Sequence, residues 1–132
     1  METEIVLDTS AIIAAIADEP DGDKVIDLTE NAILVCPSVI SFEIANSLTR
    51  MIRKKVIDKE KMNDLLKSFQ KIPIKIFENN LEDVLEIAWD YKIYAYDAFF
   101  LDTAQSLKLP LLTFDDRMIA IGKELGINIP GG

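Results

Sequence analysis

Glu4-Ile5-Val6-Leu7-Asp8-Thr9-Ser10 runs from a short apolar segment into one carboxylate and two hydroxyls. Consecutive apolar positions predict a strand covered on both faces, with Asp8 emerging where that strand reaches the rim of its sheet. Ligands of open α/β folds bind outside the carboxyl ends of the strands, so an acid there is placed for chemistry. Taken alone, Asp8 reads more readily as the N-cap of the following helix, because Asp, Thr and Ser commonly open helices.

Downstream of Asp8, Thr9 to Ala17 is apolar on nearly every side, which predicts a helix covered by other elements or by another chain. Asp18 to Asp23 is a Pro- and Gly-containing break, and Lys24 to Glu30 a short helix anchored by Val25, Ile26 and Leu28. Ala32 to Cys36, stopped by Pro37, predicts a second central strand. Phe42 to Lys54 repeats Ala45, Leu48, Thr49 and Ile52 at helical spacing, and Asp58 to Ile72 repeats Met62, Leu65, Leu66 and Phe69, giving a helical hairpin. Ile74 to Phe77 alternates as a half-covered strand, and Asn79-Asn80 opens a helix through Leu81, Val84, Leu85 and Ala88. A further helix begins at Asp97, an apolar strand spans Leu109 to Phe114 before Asp115-Asp116, and Arg117 to Leu125 forms a helix stopped by Gly126. Ile127 to Pro130 supplies a short edge strand. Alternating strands and helices without tight hairpin turns predict a three-layer α/β/α sandwich around a parallel sheet of about five strands.

With 132 residues, 49% of them hydrophobic, residues 1–132 form one domain with its own core. The longest apolar stretch is far short of a membrane span, and the acidic start Met1-Glu2-Thr3-Glu4 is unlike a signal peptide, so a cytoplasmic address is expected. Cys36 is the single cysteine and is expected in the core. The formal net charge is −9, with no histidine. Such acidity opposes nucleic-acid binding by bulk electrostatics and requires any such activity to use a local device. Without imidazole, chemistry rests on carboxylates and hydroxyls, for which hard oxygen-binding cations are the natural cofactors.

Four distant segments each bring an acid towards one rim: Leu7-Asp8-Thr9-Ser10, Phe42-Glu43-Ile44-Ala45-Asn46-Ser47-Leu48, Tyr96-Asp97-Ala98 and Leu112-Thr113-Phe114-Asp115. Capping explains each singly but not the words around them. Together, and in this order along nearly the whole chain, they resemble the PIN-domain family, most closely its small single-domain toxin ribonucleases of the VapC type. The resemblance implies Asp8, Glu43, Asp97 and Asp115 as the catalytic and metal-binding set, with Asp116 a further acid and Ser10 and Thr113 as supporting hydroxyls. It implies Mg2+ or Mn2+, hydrolysis of RNA without a covalent enzyme intermediate, and 5′-phosphate and 3′-hydroxyl ends. Physics supports the cation independently, because two carboxylates about 5 Å apart repel by roughly 3 kcal/mol at an effective dielectric near 20. The rival reading within the family is a non-catalytic PIN-like module that binds RNA or protein. Two other families fit less well: a response-regulator receiver would show an acidic pair after the first strand, and a haloacid-dehalogenase-like phosphatase a second Asp where Ser10 stands.

Arg50, Arg53, Lys54 and Lys55 form the one dense basic cluster, which suits flanking RNA backbone as well as a solvated helix end. Tyr94 and Tyr96 suit core packing better than base stacking, and Asp102 is expected as a solvated or capping acid. As implied by the resemblance, the partners are an RNA substrate, a small antitoxin and a second copy in a homodimer. Ala11 to Ala17 and Ile44 to Ile57 are candidate groove walls, and Asp58 to Phe69 a candidate dimer face.

Overall fold

A computed structural model describes residues 3–131, so Met1, Glu2 and Gly132 lie outside the described residues. The order is β1 (Thr3–Leu7), α1 (Thr9–Ile16), α2 (Gly22–Thr29), β2 (Ala32–Pro37), α3 (Ile40–Arg53), α4 (Lys59–Gln70), β3 (Ile74–Phe77), α5 (Leu81–Tyr91), α6 (Ala95–Leu107), β4 (Leu111–Leu112) and α7 (Asp116–Glu124). The sheet is ordered β3-β2-β1-β4 and all its pairs are parallel. The chain steps outward from β1 to β3, then returns so that β4 pairs with the free side of β1. That return makes the carboxyl ends of β1 and β4 a topological switch point, where open α/β sheets form a crevice.

Ile5, Val6 and Leu7 are all buried. Because successive strand residues point to opposite faces, both faces of β1 are covered, as its unbroken apolar run predicts. α6 packs on β1, β2 and β4, with α5 and α7 beside it, while α1 packs on β1, α2, α3 and α4. Close approach of α1 and α2 depends on Gly22, where an added Cβ would stand 2.6 Å from the Ala14 carbonyl oxygen. Cys36 is buried as expected. Burial pushes its thiol up to about 12, although its Sγ donates to the Leu7 carbonyl at 3.3 Å and the nearby Asp8 charge adds to the rise. No helix among the described residues is long and apolar enough to cross a membrane.

Several expectations need correction. The sheet has four strands among the described residues, not about five. Ile127 and Ile129 are buried, but their segment meets β4 through a single bond, Leu111 N–H to the Asn128 carbonyl at 3.0 Å. Pro110 and Leu112 turn their carbonyls to β1, on Val6 and Asp8, so within β4 only Leu111 faces that segment. On α2, Val25 is buried whereas Ile26 and Leu28 are exposed, because the helix docks through the narrow face shared by Gly22 and Val25. On α3 the buried stripe is Ile40, Ile44 and Leu48, and Ala45 and Thr49 face solvent, since the helix begins before Phe42. The exposed apolar stripe with helical spacing lies on α5, at Leu81, Leu85 and Trp89.

Asp102 is neither solvated nor a cap. It is 2% exposed and lies inside α6. Its Oδ2 accepts from Asn79 Nδ2 at 2.9 Å and its Oδ1 from Ser106 Oγ at 3.1 Å. Asn79 Nδ2 also approaches Thr103 Oγ1 at 3.0 Å and the Phe99 carbonyl at 3.1 Å, tying the end of β3 to α6. Asn79→Ala strips a buried carboxylate of a donor and is expected to cost about 1–3 kcal/mol in chemical denaturation. A loss near zero would show that water satisfies Asp102 equally well.

Candidate active site

Asp8 leaves β1 at the switch point and is 6% exposed. Its Oδ1 accepts from the Ala11 N–H at 3.0 Å, the capping bond of α1, and from Ser10 Oγ at 2.6 Å. Its Oδ2 accepts from Thr113 Oγ1. Each hydroxyl also accepts a backbone N–H: Ser10 Oγ from Phe114 across the crevice at 3.1 Å, and Thr113 Oγ1 from Asp115 on its own segment at 3.1 Å. Ser10 and Thr113 therefore lace the end of β1 to the segment after β4. Three of the roughly four acceptor sites of the carboxylate are used, which leaves one on Oδ2.

Asp115 is the N-cap of α7, accepting from the Met118 N–H at 3.0 Å. Asp97 lies in the first turn of α6, which starts two residues earlier than expected, at Ala95. Glu43 lies in the first turn of α3. Asp8, Glu43, Asp97 and Asp115 all line one cleft of about 680 Å³. Ser47, Arg50, Met51 and Lys54 continue the Glu43 face of α3 along the cleft, and Arg50 stands roughly 10 Å along the helix from Glu43. The cleft thus runs from acids at the strand ends to cations on α3.

The charges feel one another. Burial raises Asp8 above the ordinary value of 3.8, Asp115 adds to this, and the Ser10, Thr113 and Ala11 donors oppose it. Burial and Asp97 raise Glu43, against Arg50 and Asn46. Burial and Asp115 raise Asp97, against Arg117. Burial and neighbouring carboxylates therefore disfavour the ionised forms of Asp8, Glu43 and Asp97.

Not every predicted residue reaches the cleft. Asp116, the first residue of α7, is exposed and does not line it, and neither does Arg53. Tyr94 and Tyr96 are not core residues. Tyr94 is 85% exposed at the start of α6, where the corner between α5 and α6 holds it out of the protein. Among the described residues, no group of three or more His, Cys, Asp and Glu side chains is gathered to hold a metal ion as it stands. Sequence reading missed Arg117, which faces Asp97, and the Thr9 hydroxyl, which is buried without a partner in the wall of the cleft. The signal for Arg117 was available: a cation in a first helical turn opposes the helix dipole, a local misfit that marks a tertiary role.

Comparison with curated proteins found no match. Among solved structures, the chain is similar to PAE2754 from Pyrobaculum aerophilum, with 28% identity over 96% of this chain and 83% of that one, at a TM-score of 0.74. It shares its fold with VapBC2 from Rickettsia felis bound to a DNA fragment from their promoter, at 17% identity, 96% and 97% coverage and a TM-score of 0.69. It likewise shares its fold with VapC20 from Mycobacterium tuberculosis, a sarcin–ricin loop cleaving toxin, at 13% identity, 89% and 95% coverage and a TM-score of 0.61. A family model described as PIN domain matches residues 5–124, nearly the whole chain, and the chain belongs to the PIN-domain family.

Proposed function

We propose that the chain is a metal-dependent endoribonuclease and the toxin of a toxin–antitoxin pair. The observation that carries the proposal is the meeting of Asp8, Glu43, Asp97 and Asp115 in one cleft that ends in Arg50 and Lys54. Similarity of fold to structures described as toxin–antitoxin complexes supports the biological setting.

The donor set fits a hard divalent cation, because every candidate ligand is oxygen and Asp8 keeps one acceptor site open. Mg2+ is typically held by one or two carboxylates with several waters, which suits acids spread along a cleft. Asp8, Asp97, Asp115 and Glu43 would hold it, and when bound it would supply Lewis-acid activation of water and charge neutralisation at phosphate. Ser10 and Thr113 keep Asp8 aimed into the cleft, and Arg50 and Lys54 attract the flanking phosphates that the net charge of −9 would otherwise repel. Phe42 and Tyr96, each one residue before a cleft acid and each exposed, offer stacking faces to unpaired bases, as does Tyr94. The antitoxin reading places a partner helix along α1 and α3, whose Ile13, Ala14 and Met51 line the cleft beside the acids. The homodimer belongs to the same reading.

Purified protein incubated with single-stranded RNA is expected to cut it with Mg2+ or Mn2+ and to stop with EDTA. Asp97→Asn is expected to remove cutting by roughly 100-fold. RNA binding without metal-dependent cutting would instead make the chain a binding module.

A further inference from the structure

Arg117 is the second residue of α7 and stands two residues after Asp115, the cap of that helix. Its Nη2 donates to the Tyr91 carbonyl at 3.0 Å and to the Lys92 carbonyl at 3.1 Å. These belong to the last turn and the cap of α5, where carbonyls lack helical partners and the helix dipole is negative. Lys92 turns the chain in the left-handed region at φ 57°, and three residues later α6 begins with Asp97 in its first turn.

We propose that Arg117 is a positioning residue: its guanidinium straps the α5–α6 corner to the start of α7 and so holds Asp97 opposite Asp115. The proposal rests on the ribonuclease reading for its catalytic consequence, while the strap itself is a matter of structure. Asp97 and Asp115 come from helices that both open at the cleft, and their like charges push them apart. A cation bonded to one corner and rooted beside the other opposes that separation. Arg is suited to this because its fixed planar group presents two hydrogens of one nitrogen to two successive carbonyls, whereas a Lys ammonium is a flexible point charge.

Arg117→Ala and Arg117→Lys test the strap in the full chain, with two readouts. The first is steady-state cleavage of a single-stranded RNA with saturating Mg2+. Arg117→Ala should lower kcat roughly tenfold or more with KM unchanged, and Arg117→Lys should restore part of the loss. The second readout is independent of activity. Trp89 is the single tryptophan, and Lys92 lies over its ring at 4.5 Å, so its fluorescence anisotropy in EDTA reports on this corner. Arg117→Ala should lower that anisotropy. A raised KM with kcat unchanged would overturn positioning in favour of a phosphate contact. Unchanged anisotropy would overturn the strap whatever the assay shows, and failure of wild type to cut RNA, with the anisotropy drop intact, would refute the ribonuclease reading and leave the strap standing.

Discussion

Asp8→Asn is expected to lower RNA cleavage by roughly 100-fold or more while raising the melting temperature of the metal-free protein. The loss follows from removing the most deeply buried carboxylate of the cleft. The gain follows from linkage. Burial raises Asp8 in the folded state above its ordinary 3.8, so the native protein binds that proton more tightly than the unfolded chain does. Ionised Asp8 therefore costs stability above its raised value, and the cost vanishes as the pH falls below about 4. Glu43 and Asp97 are shifted in the same direction and add to the same slope. In EDTA, these three groups should make the melting temperature decline as the pH rises from about 4 towards neutrality, and Asp8→Asn should flatten that decline. Asn retains the cap on the Ala11 N–H, so a gain on the order of 1 kcal/mol, or about 3–6 °C, is expected at neutral pH. Scanning calorimetry across pH measures it. A destabilised Asp8→Asn protein would mean that the carboxylate serves the fold rather than the reaction.

Thr113→Val acts at the other end of the same hydrogen bond and should move stability the opposite way. Val keeps the shape but removes the hydroxyl that donates to Asp8 and accepts from the Asp115 N–H. Both groups lose a partner at a site where Thr113 itself is buried, at a cost of about 1–3 kcal/mol and roughly 3–18 °C. Cleavage should fall by roughly tenfold or more, because the acids after β1 and β4 are then no longer laced together. In the Asp8→Asn background the same change should cost at least about 0.5 kcal/mol less, since the buried charge that needed the hydroxyl is gone. Strictly additive losses would show that Thr113 and Asp8 are not energetically linked.

The alternation of strands and helices was legible because each element carries its own local signal. Unbroken apolar runs marked β1 and β2, three- and four-residue spacing marked the helices, and Gly126 at φ 79° closes α7 where expected. The acids were legible for a related reason: each sits where a strand or turn hands over to a helix, and the end of an element is written in adjacent residues. Failures cluster where the deciding partner is distant in the chain. Asp102 has an ordinary helical neighbourhood, and beside the local Ser106 it takes the distant Asn79, in the loop after β3, to make its burial tolerable. Tyr94 and Tyr96 are apolar enough for a core, but the turn at Lys92 places them outside it. Ile127 to Ile129 has the pattern of a strand, but β4 is two residues long and turns only Leu111 towards it, so one bond replaces a ladder.

By itself, then, the sequence determined the layer architecture, the family words and the placing of four acids at the starts of helices, since these depend on periodicity and on residues next to one another. The tertiary structure alone decided that the acids share one cleft with Arg50 and Lys54, that Ser10 and Thr113 bridge two strand ends, and that Arg117 reaches across to α5. Those facts depend on the sheet order β3-β2-β1-β4, which sets residues more than a hundred positions apart side by side through long-range packing that no local pattern encodes.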